Sequence, residues 1–179
     1  MAALRRGDVV AYPTETFYGL GVDAFDEAAL GRLLALKGRG AEKAVSLLIA
    51  PPMLARLCAE IPPAAAALMA AHWPGPLTLA LPARPGLPAA IVSDGCVAVR
   101  ASPHPLAAAL VAAFGAPVTT TSANRAGEPP TTNAAAVRAV FGDACHLLDG
   151  GDTAGGAPST LVRVRGDAIE ILRQGAIRI

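Results

Sequence analysis

With 179 residues, a formal net charge of +1 and 16% charged side chains, the chain is sized for one domain that buries roughly 70% of its unfolded surface. The apolar fraction of 53% and mean hydropathy of +0.45 owe much to alanine, and uncharged runs such as 61–71 and 74–83 contain prolines and fall short of a bilayer span. No basic segment leads into an apolar core at the start, so neither a membrane anchor nor a secretory leader is expected, and the expected compartment is the cytoplasm.

The predicted elements alternate. Val9 to Tyr12 reads as a buried strand closed by Pro13, and the polar run from Tyr12 to Gly21 reads as a loop rich in hydroxyls and glycine. Asp26 is placed to cap a helix carrying Leu30, Leu33, Leu34 and Lys37, which Gly38 and Gly40 end. Val45 to Ile49 is a second strand, and two Ala-rich helices follow, around 53–58 and 64–72, each with proline at its start. Trp73-Pro-Gly-Pro demands a tight turn. Leu77 to Leu81 and Val97 to Arg100 read as strands, Pro105 to Phe114 as a helix stopped by Gly115, and Val118 to Thr121 as one further strand. Asn133 caps a helix reaching Phe141, and strands at 146–148, 160–164 and 169–172 complete the chain. Interleaved strands and helices define the α/β class, with a twisted, open mixed sheet flanked by helices.

Metal and nucleophile chemistry find little support. Cys58, Cys96 and Cys145 are odd in number and far apart, without a CxxC pair, so buried free thiols are expected and no protein metal site. No GxSxG elbow is present. The chemistry-bearing segments are instead cations and hydroxyls at element ends. Lys37 and Lys43 are the only lysines among 15 basic residues, and Arg39 lies between them. The glycines beside them would let a triphosphate approach the backbone, although a cation ending a helix also complements the helix dipole. Arg100 ends a strand and could clamp a carboxylate. Thr119-Thr-Thr-Ser-Ala-Asn124 and the glycine-rich run 150–160 read either as ligand-facing strand ends or as solvated loops.

Taken in order, Ala11-Tyr-Pro-Thr-Glu-Thr-Phe-Tyr-Gly-Leu-Gly21, Lys37-x-Arg39 with Lys43, and Trp73-Pro-Gly-Pro-Leu-Thr78 resemble the YrdC (TsaC) family of threonylcarbamoyl-AMP synthases. So do Val97-Ala-Val-Arg100 with His104-Pro105, Thr121-Ser-Ala-Asn124, Pro158-Ser-Thr160 and Leu172-Arg-Gln-Gly175. The resemblance implies a YrdC-like fold with a concave, positively charged cleft, expected here as one domain over 1–179. It implies condensation of L-threonine, bicarbonate and ATP to threonylcarbamoyl-AMP and pyrophosphate, a nucleotidyltransferase reaction. A TsaD-type machinery would then consume the adenylate to make N6-threonylcarbamoyladenosine in tRNA, and tRNA itself is expected to be approached only indirectly.

Carried over by motif, Thr16, Arg100, Thr120 and Ser159 would hold threonine. Lys37, Arg39, Lys43, Ser122, Asn124 and Arg173 would surround ATP, with Lys37, Arg39 and Lys43 stabilising charge and no protein nucleophile taking part. Magnesium would accompany the phosphates with few or no protein ligands. Gly40 stands where the family often has proline, and Lys43-Ala44 and Leu48 replace an Asn-Pro and a histidine of the two-domain relatives, as in the short type. Two other readings compete: a carbamoyl-adenylate former of the hydrogenase-maturation kind, and an RNA-binding module. The second is disfavoured by a net charge of +1 and 4% aromatics.

Overall fold

A computed structural model describes residues 1–38, 40 and 44–179. A short helix, α1 (Ala2–Arg5), precedes β1 (Val10–Pro13), whose four residues are all buried. The chain then turns back as β2 (Tyr18–Gly21), pairing antiparallel from Val10↔Gly21 to Pro13↔Tyr18. Residues 12–13 and 18–21 of the expected loop are therefore strand. Its glycines obscured that: a Cβ on Gly21 would lie 2.5 Å from a Val118 methyl, so only glycine lets β2 pass this close to its neighbours.

Helix α2 (Glu27–Lys37) begins where the sequence places it, with Asp26 Oδ1 accepting from the Ala29 N–H at 2.9 Å. It ends on Gly38 in the left-handed conformation, φ 62°. β3 (Leu47–Leu48) is shorter than expected. A 3-10 turn over Pro51–Met53 runs into α3 (Leu54–Leu57), and α4 (Pro63–His72) leads to a cis Trp73–Pro74 peptide. β4 (Leu77–Pro82), β5 (Val92–Ser93) and β6 (Cys96–Arg100) follow. Helix α5 (Pro105–Phe114) is capped by His104, whose Nδ1 accepts from the Leu106 N–H at 3.3 Å.

The segment read as one strand over 118–121 is two, β7 (Val118–Thr119) and β8 (Thr121–Ser122), and they belong to different sheets. The chain closes with α6 (Ala134–Phe141), β9 (His146–Leu147), β10 (Thr160–Arg165) and β11 (Ala168–Arg173). The mixed α/β character is as the sequence indicates, but the single sheet resolves into two. One has the order β8-β2-β1-β9; the other runs β11-β10-β4-β6-β3-β7, with β5 paired on β6.

The step from β7 to β8 joins the two sheets. Thr119 N–H donates to Val22 O at 3.0 Å and its hydroxyl to Leu20 O at 3.2 Å, while Thr120 N–H donates to Ser46 O at 2.7 Å. Apolar packing then fixes the angle between them. The main core takes Tyr18 and Leu20 from one sheet and Leu47, Leu79, Val99 and Val162 from the other. A smaller cluster seats α5 on Val10 and Tyr12. Leu79 is wholly buried, and Leu79→Ala would cost about 2–5 kcal/mol through transfer and cavity effects. No helix among the described residues is long and apolar enough to cross a membrane.

Candidate active site

A cleft of about 680 Å³ opens between the two sheets, within the usual range of about 300–1,000 Å³ for small-molecule sites. One wall carries Thr14, Thr16 and Phe17 of the β1–β2 turn, Tyr18 and Gly19 of β2, residues 120–122 and Asn124; the other carries Thr78 of β4, Arg100 of β6, Ser159 and Leu161 around the start of β10, and Arg173 of β11. Thr16, Arg100, Thr120, Ser122, Asn124, Ser159 and Arg173 all line it. Seven of the ten residues marked by the sequence thus meet in one hollow, although they span more than 150 positions.

The β1–β2 turn is locked by its own hydroxyl. Thr14 Oγ1 donates to Phe17 O at 2.7 Å and accepts from the Thr16 and Phe17 N–H groups at 3.3 Å each. The Thr16 hydroxyl lies 3.2 Å from that of Thr14 and faces the cleft. From the same turn Glu15 reaches across to β6, where its carboxylate accepts from Arg100 Nη2 and, through the other oxygen, from the Ser102 hydroxyl. The side chains of Arg100 and Glu15 are 8% and 17% exposed, so water screens this ion pair little and removing either partner would strand a charge.

Opposite, Ser159 Oγ and Thr78 Oγ1 are 2.7 Å apart, and Arg173 donates to Ser159 O from Nη2 at 2.8 Å and from Nε at 3.2 Å. Burial pushes the Arg173 guanidinium below its ordinary value, and the like charge of Arg100 adds to the effect. Two guanidinium groups in one hollow repel each other, a repulsion that the Glu15 carboxylate on Arg100 reduces.

Lys37 stands apart. It is buried and does not line the cleft. Its ammonium donates to Ser122 O at 2.6 Å and Asn124 O at 2.8 Å, and its own carbonyl accepts from the Ala126 N–H at 2.9 Å. The sequence sets Lys37 beside the phosphates; here its ammonium holds two backbone carbonyls of the 122–124 loop. The last turn of α2 points the side chain inward, beneath the 122–126 loop, where it fastens the backbone that presents Ser122 and Asn124. Arg39 and Lys43, also marked by the sequence, lie outside the described residues.

Two buried side-chain atoms among the described residues lack a hydrogen-bond partner: Arg100 Nε and Asn124 Oδ1. Both belong to residues lining the cleft. An orphaned buried polar atom costs about 1–3 kcal/mol, so both residues carry an unmet hydrogen-bonding demand behind the cleft surface. Asn124 cannot turn to satisfy itself, because its Nδ2 already donates to Arg125 O and Glu128 O.

Sequence reasoning missed Thr78 and Glu15. Thr78 carries a period-two signal, a lone hydroxyl in the apolar strand Leu77–Pro82; Glu15 carries none beyond its place in a polar turn. No group of three His, Cys, Asp or Glu side chains among the described residues could hold a metal. A second hollow of about 550 Å³, between α4, α5 and residues 48–51, has almost wholly apolar walls. Its chemistry suits packing and not catalysis.

Fold and cleft together define a small α/β protein with a hollow between two sheets lined by guanidinium and hydroxyl groups. The chain belongs to the Sua5/YciO/YrdC family, whose model, described as telomere recombination, matches residues 2–175. It is 49% identical over 167 residues to a threonylcarbamoyl-AMP synthase of Chromohalobacter salexigens, covering 90% of this chain and 88% of that one. It is 39% identical over 180 residues to the Bacillus subtilis threonylcarbamoyl-AMP synthase, covering 98% of this chain and 52% of that one. Among solved structures it resembles Pyrococcus abyssi Sua5 complexed with L-threonine, with a TM-score of 0.92 and 37% identity over 97% of this chain and 52% of that one. The chain thus spans about half the length of the last two.

Proposed function

We propose that the chain is a threonylcarbamoyl-AMP synthase, a nucleotidyltransferase that condenses L-threonine, bicarbonate and ATP. The observation that carries this is the meeting of Arg100, Arg173 and five hydroxyl or amide side chains from both sheets in one cleft. The names of the relatives and the threonine bound by Pyrococcus abyssi Sua5 support the reading.

The chemistry asks the protein for position and charge, not for a nucleophile. The threonine amine adds to CO2 derived from bicarbonate and loses a proton, giving a carbamate. A carbamate oxygen attacks the α-phosphorus of ATP, the bond from that phosphorus to the bridging oxygen breaks, and pyrophosphate leaves with the electron pair. The carbamate is already an anionic nucleophile. Holding it in line contributes on the order of 7–11 kcal/mol through positioning. Arg100 takes the threonine carboxylate, and Thr16, Thr120 and Ser159 surround the amino acid. Ser122, Asn124 and Arg173 take the nucleotide, and Arg39 and Lys43 take its phosphates. Lys37 fastens the loop that carries Ser122 and Asn124. A magnesium ion accompanying ATP would take its ligands from phosphate oxygens and water.

The product would feed a transferase that moves the threonylcarbamoyl group to tRNA, so tRNA need not touch this chain. Pyrophosphate release tests the reading: it should require threonine and bicarbonate together. Release sustained by carbamoyl phosphate without threonine would replace this function with carbamoyl-adenylate formation.

A further inference from the structure

We infer that Glu15 is a positioning residue for the amino-acid subsite, acting through Arg100; this rests on the reading of that subsite under Proposed function. Glu15 does not line the cleft, whereas Arg100 does. Its carboxylate therefore meets the guanidinium from outside the cleft wall, taking Nη2 and leaving the buried Nε without a partner. The other carboxylate oxygen is tied by Ser102, whose hydroxyl also accepts from the His104 N–H at 3.2 Å at the start of α5. Glu15 is thus anchored at both ends, by the Thr14-locked turn and by the N-terminus of α5.

A guanidinium held on one side by a fixed carboxylate presents its remaining donors in one orientation, as a ligand carboxylate requires. Glu15 also offsets the repulsion between Arg100 and Arg173, whose like charge already disfavours the ionised Arg173. The competing effect has the opposite sign: Glu15 repels an anionic ligand. The positioning effect wins because Glu15 lies behind the guanidinium, so the ligand carboxylate meets the cation first and Glu15 only at longer range.

The test compares wild type with Glu15→Gln, which keeps the shape but replaces a charge-assisted hydrogen bond by a neutral one, and with Ser102→Ala, which frees the other oxygen. Threonine affinity is read by titration calorimetry, nucleotide affinity in parallel, and folding by thermal melting. Glu15→Gln should weaken threonine binding about tenfold or more and Ser102→Ala by a smaller factor, with nucleotide affinity held within about twofold. Threonine binding that is unchanged or tighter in Glu15→Gln overturns the inference, the latter marking Glu15 as a competitor for the guanidinium. So does an equal loss of nucleotide affinity, which would mean general damage to the cleft; in each case the proposed function stands. Wild type that binds nucleotide but no threonine overturns the function and this inference with it.

Discussion

Each wall of the cleft is served by a buried cation, Lys37 behind one and Arg100 within the other, and they use it differently. On one, Lys37 spends its ammonium on the carbonyls of Ser122 and Asn124. On the other, Arg100 is held by one acidic partner and leaves its buried Nε without one. A compact ammonium with three donors suits the closing of a loop onto a helix end; a planar fork suits sharing between a fixed carboxylate and an arriving one. The difference teaches that a basic residue in a ligand motif can recognise the ligand or hold the residues that do, and only its partners tell which.

This contrast can be broken by substitution. Arg100→Ala should have the largest effect, a loss of roughly 2–4 kcal/mol in threonine affinity. Calorimetry checks it, and unchanged binding would remove Arg100 from the pocket. Lys37→Met should act mainly on stability. Two carbonyls lose a charged donor, so unfolding in urea should show a loss of about 2–3 kcal/mol, with threonine affinity much less affected than in Arg100→Ala. A folded, fully stable Lys37→Met that cannot release pyrophosphate would instead return Lys37 to the phosphates. Asn124→Ala should cost about 1–2 kcal/mol in nucleotide affinity, measured from the ATP dependence of turnover, and spare threonine. Thr78→Val should be mildest. It removes only the hydroxyl contact with Ser159, and threonine affinity should fall by about 0.5–1.5 kcal/mol.

How much of this was legible in sequence follows from the range of the forces involved. Helix ends set by local hydrogen bonds were readable: Asp26 and Asn133 as caps, Gly38 and Gly115 as stops, and the whole of α5 from Pro105 to Phe114. The strand over Tyr18–Gly21 was not, since its glycines are there for close approach to Tyr12 and Val118, neighbours that folding alone supplies. The split between Val118–Thr119 and Thr121–Ser122 was hidden for the same reason: a four-residue extended run carries no sign that its halves join different sheets. In the site, the family motifs implied that Arg100, Arg173, Ser159 and Asn124 share a cleft, and the four do line one hollow. The motifs could not foretell that Lys37 turns inward or that Glu15 reaches Ser102, because both depend on where distant chain segments come to rest.

The central claim is that this cleft joins a carbamate of threonine to the α-phosphate of ATP. Incubation with carbon-labelled bicarbonate, threonine and ATP, followed by mass spectrometry, tests it most directly. The account predicts threonylcarbamoyl-AMP carrying the label in its carbamate carbon, appearing together with pyrophosphate and lost in Arg100→Ala. ATP left intact, or an adenylate formed without threonine in it, would contradict the account.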